Sequence, residues 1–158
     1  MEIEPTTDPL ERARQAAREE QPDGWIELSE SIMSRVRALV TPSDPILAFT
    51  ETGTTDRDTS GSKTRVSARI VTAAIRRVLQ QPTHAPEDID LTVIDERLAR
   101  VDFKLVCSYD VDLVSLAEVV REQVHHEVAS ILGPDPEFAS STISIDIVDV
   151  VVGNPNLG

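Results

Sequence analysis

Aromatic residues, cysteine and basic side chains are scarce in this sequence, and each shortage excludes something. Only 3% of the 158 residues are aromatic, so a core must be built from Val, Ile, Leu and Ala, which the 40% hydrophobic content allows. The single cysteine excludes an intrachain disulfide and favours a reducing, cytoplasmic setting. At this length we expect one folded domain.

The balance of charges is strongly acidic. There are 28 acidic and 15 basic side chains, which give a formal net charge of -13. This charge would repel the phosphates of nucleic acid and of an anionic membrane surface, whereas it is compatible with basic partners. No stretch approaches the ~20 apolar residues of a membrane-spanning helix, and Met1–Gln21 has no apolar centre like that of a signal peptide. We therefore expect neither nucleic-acid binding nor direct membrane insertion.

The spacing of apolar residues predicts a strand–helix–strand unit in the second half of the chain. The first strand, Leu98–Tyr109, alternates apolar and polar residues, and it follows Ile89–Asp95 closely enough to form a hairpin. Asp112 is predicted to cap the helix Leu113–Leu132, whose apolar residues share one face because they recur every three or four positions. The last strand alternates again and runs into three valines, Val150, Val151 and Val152. Such a unit is a crossover, in which the helix lies on the sheet.

Two further helices and a short strand are predicted ahead of this unit. One helix begins after Ser29 and ends before Pro42, and the other begins after Ser67 and ends before Pro82. In both cases the serine is the N-cap, because its hydroxyl can accept a hydrogen bond from a free amide of the first turn. Ile46–Thr50 is a short apolar run of strand length.

These elements predict one α+β domain over residues 24–152. We expect a mixed sheet of about four strands, with amphipathic helices mainly on one face. Residues 1–23 are expected to form a flexible or helical tail, because their apolar stripe is too thin to anchor a helix to a core. The polar stretch 51–63 is expected to be a mobile loop, and residues 153–158 a C-terminal tail.

The side chains that could carry chemistry form no catalytic or metal-binding constellation. Cys107 lies on the apolar face of its predicted strand, where a thiol behaves as a small hydrophobic group. His125 and His126 are adjacent on a helix and point about 100° apart, so they cannot chelate one ion together. His84 is predicted to lie in a loop. We expect no enzymatic activity, no cofactor and no metal site.

Two motif-like fragments in the polar loop are incomplete. Asp56–Gly61 begins like a calcium-binding loop, but Ser67 stands where the template needs a bidentate Glu. Gly61–Thr64 resembles part of a phosphate-binding loop, but Arg57 and Ser62 replace the two glycines that the pattern requires. A linker is the better interpretation of this stretch.

The order of the elements resembles the alkaline-shock-protein family of bacterial envelope stress response proteins, in its actinobacterial-type members. The resemblance runs from about Gly24 to Val152. It is carried by six stretches, Ile26–Val40, Val66–Arg76, Val101–Tyr109, Val111–Leu113, Leu116–Arg121 and Ile145–Val151. It implies a small cytoplasmic α+β protein without known catalysis. Some members of the family lie beneath the cell membrane by binding a small membrane-anchored protein, and some self-associate.

We therefore expect a non-enzymatic envelope stress response or scaffold protein that acts through protein–protein contacts. The predicted contact surface is an exposed edge strand, Ile46–Thr50 or Thr142–Val152, because unpaired backbone groups there can accept a partner strand. The contact residues predicted on these strands are Ile46, Phe49, Val150 and Val152. The expected partner is a small membrane-anchored protein or a second copy of the chain. The alternative is a ligand- or RNA-binding α+β module, although the charge and the few aromatic residues argue against RNA.

Overall fold

The computed structural model describes residues 44–158. The tail predicted at 1–23 and the helix predicted after Ser29 lie outside the described residues. The elements follow one another as β1 (Pro45–Leu47), β2 (Arg65–Ser67), α1 (Ala68–Leu79), β3 (His84–Ile94), β4 (Arg97–Ser108), α2 (Leu113–Leu132) and β5 (Ile143–Val151), with short 3-10 turns at Ser140–Thr142 and Pro155–Leu157.

The strands form two sheets. β3, β4 and β5 make a three-stranded mixed sheet in that order, with β3 antiparallel and β5 parallel to β4. β1 and β2 pair antiparallel in a separate two-stranded sheet. The α+β class is confirmed, whereas a single sheet of about four strands is not confirmed, since the described strands form these two sheets. The difference arises because Ile46 pairs with Val66, a strand partner that the sequence pattern did not reveal.

The predicted crossover unit is confirmed, because α2 connects two parallel neighbours, β4 and β5. Asp112 caps this helix as expected: its Oδ1 accepts hydrogen bonds from the backbone N–H groups of Val114 and Ser115, both at 3.1 Å. These bonds, with that from Ser115 first, lower the pKa of the Asp112 carboxyl. Ser67 likewise caps α1 by accepting from the N–H of Arg69 at 3.3 Å.

The predicted hairpin is also confirmed, although β3 begins earlier than expected. Its two turn residues, Asp95 and Glu96, have positive φ angles of 51° and 63°, the conformation that matches the twist of paired strands. The structure extends β3 back to His84, through a segment that was predicted to be a loop. Pro86 is tolerated there because β3 is an edge strand and a bulge follows between Pro86 and Asp88.

The core lies between the three-stranded sheet and the two described helices. Alternate residues of β4 point into it, and α1 and α2 bring their apolar stripes against the same face. The buried residues of β4 are Leu98, Val101, Phe103, Leu105 and Cys107. The residues between them on β4, such as Asp102 and Lys104, lie on the opposite, polar face of the sheet.

The two segments predicted to be a loop and a tail both make specific contacts. In the stretch 51–63, the Asp58 carboxylate accepts from the backbone N–H groups of Ser60 and Ser62 at 2.8 and 2.9 Å. This carboxylate, part of the calcium-like fragment, therefore holds a turn of its own loop. After β5, the chain folds back so that the 3-10 turn Pro155–Leu157 contacts β3 and β4.

Candidate interaction surface

β5 is an edge strand, and its C-terminal half is apolar and exposed. Sheet order gives it one strand neighbour, β4, among the described residues. The predicted contact residues Val150 and Val152 are 38% and 95% exposed. Three further large apolar side chains are exposed at this end of the sheet. We call the five together the β5 patch: Tyr109, Val148, Val150, Val152 and Leu157.

Three segments bring the β5 patch together. The backbone N–H of Tyr109, directly after β4, donates to the carbonyl of Val151 at 2.8 Å, which places Tyr109 beside the end of β5. The chain then reverses at Gly153, whose φ of 89° is in the left-handed region that glycine adopts without strain. The 3-10 turn that follows contacts β3 and β4, and Leu157 at its end is exposed. The patch therefore depends on tertiary structure as well as on the run of valines.

The backbone edge of β5 is partly closed. Since the carbonyl of Val151 faces β4, the backbone groups of Val150 face the free edge, and the N–H of Val150 donates to the carboxylate of Asp149 at 2.8 Å. At the other end of the strand, Arg121 Nε donates to the carbonyl of Ile143 at 3.3 Å. A bulge at Val148 interrupts the register between these two points. Bulges and charged side chains discourage the addition of another strand to a sheet edge. We therefore expect a partner to contact the side chains of the patch and not to pair with its backbone.

The structure corrects the prediction for Ile46 and Phe49. Ile46 is fully buried and Phe49 is 9% exposed, so these side chains belong to the interior. One edge of β1 pairs with β2. The other edge is occupied because the N–H of Leu47 donates to the carbonyl of Glu96 at 2.7 Å and that of Phe49 to the carbonyl of Leu132 at 2.5 Å. The guanidinium of Arg97 covers the Phe49 ring, 5.1 Å from its centroid.

The open face of the three-stranded sheet is acidic and carries no aromatic side chain in the described strands. Lys104 on β4 stands between Asp88 on β3 and Asp146 on β5, with 4.0 Å from its Nζ to an Asp88 oxygen. In the next row, Asp90 lies directly opposite Asp102. Such a face has no ring on which a nucleotide base could stack, and its carboxylates would repel phosphates.

His84 and Cys107 come together in a way that the sequence pattern did not show. They are cross-strand partners on β3 and β4, and both are buried. Burial lowers the pKa of the His84 imidazole and raises the pKa of the Cys107 thiol, so both groups are neutral near pH 7. A nucleophilic cysteine needs the thiolate, which this environment disfavours. The strand that contains Ile89 extends back to His84, but Pro82 and Pro86 made a loop the expected conformation of this segment.

The other two histidines lie on α2 and are separated by their surroundings. The His125 ring stacks on Phe138, with ring centroids 5.8 Å apart, and its Nε2 is 3.2 Å from the Phe138 carbonyl oxygen. His126 lines a shallow groove of about 450 Å³ between α1 and α2, together with Val78, Gln81, Glu122, Gln123 and Glu127. Within residues 44–158, no three His, Cys, Asp or Glu side chains are placed to hold a metal ion.

Comparisons of the chain with protein-family models, with curated proteins and with solved structures found no match. No helix in the described part of the chain is long and apolar enough to cross a membrane.

Proposed function

We propose that this protein is non-enzymatic and acts through protein–protein contacts made by the β5 patch. The observation that carries the proposal is that five large apolar side chains at the same end of the sheet are exposed, three of them in β5 or directly after it. Solvation of apolar surface is unfavourable, and contiguous exposed apolar residues commonly mark a site where another protein binds. The resemblance to the alkaline-shock-protein family suggests the setting, which is a cytoplasmic scaffold or a role in the envelope stress response.

The open face of the sheet supports this proposal over the RNA-binding alternative. RNA-binding sheets present aromatic rings for base stacking and basic groups for phosphates. The face here presents Asp88, Asp90, Asp102 and Asp146, and it carries Arg100 and Lys104 as basic groups. Arg100 is already engaged with Asp102 on its own strand, with Nε–Oδ distances of 2.8 and 2.9 Å.

Membrane association, in this proposal, is supplied by a partner. A net charge of -13 opposes binding to anionic lipid. A small membrane-anchored protein that covers the β5 patch would bring the chain to the membrane without any contact between the chain and lipid. Self-association through the same patch is the second arrangement that the proposal allows.

The test compares Val152→Asp with Ile94→Asp in the full chain. Both positions carry an exposed apolar side chain, 95% and 57% exposed, but Ile94 lies at the hairpin end of the sheet, away from the β5 patch. Each protein is used as bait in native-host lysate prepared with the membranes preserved, and its own association is measured by sedimentation velocity. We expect a specific partner or a second copy to be retained by wild type and by Ile94→Asp. Val152→Asp should weaken that contact at least about tenfold, which corresponds to ~1.4 kcal/mol.

Two results would contradict the proposal. Equal retention by the two variants would show that the contact lies elsewhere. Co-sedimentation of purified wild-type protein with pure anionic vesicles at physiological salt would show that the chain reaches lipid by itself. Vesicles of neutral lipid serve as the control for non-specific trapping.

A further inference from the structure

The segment after β5 is held against the sheet by one asparagine side chain. The side-chain amide of Asn156 donates to the carbonyl of Gln81 at 2.6 Å, and it is 3.5 Å from the carbonyl of His84. The Asn154 side chain organises the 3-10 turn by accepting from the backbone N–H of Asn156 at 2.9 Å. We call residues 153–158 the C-terminal latch.

The latch closes on a tight turn that leads into β3. In this turn the N–H of Gln81 donates to the carbonyl of His84 at 2.9 Å, and the N–H of His84 donates to the carbonyl of Gln81 at 3.1 Å. The carbonyl of Thr83 accepts from the N–H of Ser108 on β4 at 2.8 Å. Both carbonyls that face the Asn156 amide therefore depend on His84 keeping its place.

His84, on which this turn depends, is a buried titratable residue. The residue is 3% exposed, its Nδ1 lies 3.0 Å from the hydroxyl oxygen of Thr83, and its Nε2 has no hydrogen-bond partner among the described residues. A neutral imidazole tolerates this environment because one ring nitrogen is paired and the ring is largely apolar. An imidazolium would carry a second N–H donor and a full charge into the same space, which is costly without an acceptor.

Within residues 44–158, no charged group acts on His84 to offset that cost. The titratable group facing it on β4 is the neutral Cys107 thiol, and the 3-10 turn brings only asparagine side chains. The last turn of α1 carries Arg76 and Arg77, which are both exposed, and Arg77 is paired with Glu127 at 3.0 Å. Desolvation is the one cause acting on the His84 pKa, and it lowers it.

We propose that residues 153–158 are a proton-controlled latch on the β5 patch, opened when His84 takes up a proton. The proton binds at the unpaired ring nitrogen, the turn between Gln81 and His84 opens to hydrate the ring, and Asn156 loses the carbonyls that it holds. Leu157 then leaves the patch. This regulation rests on the proposed function, because Leu157 and the neighbouring Val152 are part of the proposed contact surface. Acid would therefore weaken the contact.

The direction of the effect follows from proton linkage. The open state binds a proton at His84 more tightly than the closed state, because its ring is hydrated. Opening therefore becomes more favourable as the pH falls below the ordinary histidine pKa of about 6.5. One coupled proton changes the opening equilibrium by at most about tenfold per pH unit.

The experiment follows the latch in the purified full chain by NMR, between pH 8 and pH 5, without any partner. Amide exchange of Leu157, whose N–H donates to the Asn154 carbonyl at 3.1 Å, reports opening after correction for the intrinsic exchange rate. The ring proton resonances of His84 report its protonation in the same samples. We expect exchange at Leu157 to increase by up to about tenfold per pH unit, in step with the titration of His84, while the amide of Leu105 in β4 stays protected.

Three variants separate this mechanism from general acid loosening. His84→Leu should keep the latch closed over the whole pH range, and Asn156→Ala should open it even at pH 8. His126→Gln removes an exposed histidine on α2 and should leave the pH profile unchanged. If His84→Leu does not fold, the shared midpoint of His84 titration and Leu157 exchange in the wild type still decides the matter.

The proposal is overturned if Leu157 exchange does not depend on pH, if it changes at a different midpoint from His84, or if the pH dependence persists in His84→Leu. Because no partner is present, none of these outcomes depends on whether the β5 patch binds another protein. Failure of the Val152→Asp comparison with an intact pH response would remove the proposed function and leave the latch.

Discussion

β1 and the end of β5 are two short apolar runs with opposite surroundings. In β1, Ile46 is fully buried, β2 lies on one edge, and backbone groups of the hairpin turn and of α2 bind the other edge. At the end of β5, Val148, Val150 and Val152 are exposed, whereas Ile143 at the start of the strand is buried. Both runs are apolar, so the sequence pattern predicted an exposed edge strand for each. The segments that pack against them in the fold decide that β1 is buried and the end of β5 is exposed.

The comparison shows which apolar surface of this domain remains exposed after folding. A core residue owes its burial to segments distant in sequence, such as Glu96 and Leu132 for β1. The β5 patch has no such segment among residues 44–158, and the Asp149 carboxylate accepts from the backbone N–H of Val150 on the edge beside it. Side-chain contact with another protein is therefore the use that best fits the patch.

Ile46→Asp should give the largest effect, because it would bury a carboxylate without a partner inside the core. We expect the free energy of unfolding to fall by several kcal/mol, which is enough to unfold the domain. Urea unfolding followed by circular dichroism measures this, and Leu105→Asp in the centre of β4 should behave in the same way. Ile94→Asp, at an exposed apolar position, is the control. An unchanged midpoint for Ile46→Asp would mean that β1 is a surface strand after all.

Gly133→Ala should have the next largest effect on stability, because Gly133 lets the end of α2 lie close to the backbone that follows β1. A Cβ built on Gly133 would lie 2.0 Å from the carbonyl oxygen of Phe49, and the φ of 80° already disfavours any other residue. We expect a loss of about 2–4 kcal/mol from the collision and the strain together. Gly61→Ala is the matched control, since its φ is 83° and nothing lies within 4 Å of its Cβ. Its cost should stay near ~1 kcal/mol. Equal losses in the two variants would remove the role of this close approach.

Arg97→Ala should have a smaller effect on the same region. Arg97 binds Asp135 through two nitrogens, lies 3.1 Å from Glu137 and covers the Phe49 ring. Because the Arg97 side chain is still 30% exposed, we expect a loss of only about 1 kcal/mol. Arg100→Ala breaks an ion pair on the open sheet face and should change the free energy of unfolding by less than ~0.5 kcal/mol. If the two losses were equal, the contacts of Arg97 with Asp135, Glu137 and Phe49 would together contribute no more than one exposed ion pair.

The sequence predicted those features that depend on neighbouring residues. Periodicity placed β4, α2 and β5, and capping chemistry placed the starts of both described helices at Ser67 and Asp112, because these signals are local. The exposure of Val150 and Val152 was predicted from the edge-strand argument, which did not distinguish this run from Ile46–Thr50. The burial of Ile46 and Phe49 did not, because it depends on partners far along the chain. The strand conformation of His84 and its pairing with Cys107 were missed for the same reason.

The most direct test of the difference between the two strands is Val150→Asp, measured for both stability and contact. Val150 is 38% exposed, so the free energy of unfolding should fall by about 1 kcal/mol or less, in contrast to Ile46→Asp. The same variant should lose the partner or the self-association that wild type retains. A loss of stability as large as that of Ile46→Asp would show that Val150 belongs to the core. An intact contact would show that the β5 patch is not the surface through which this protein acts.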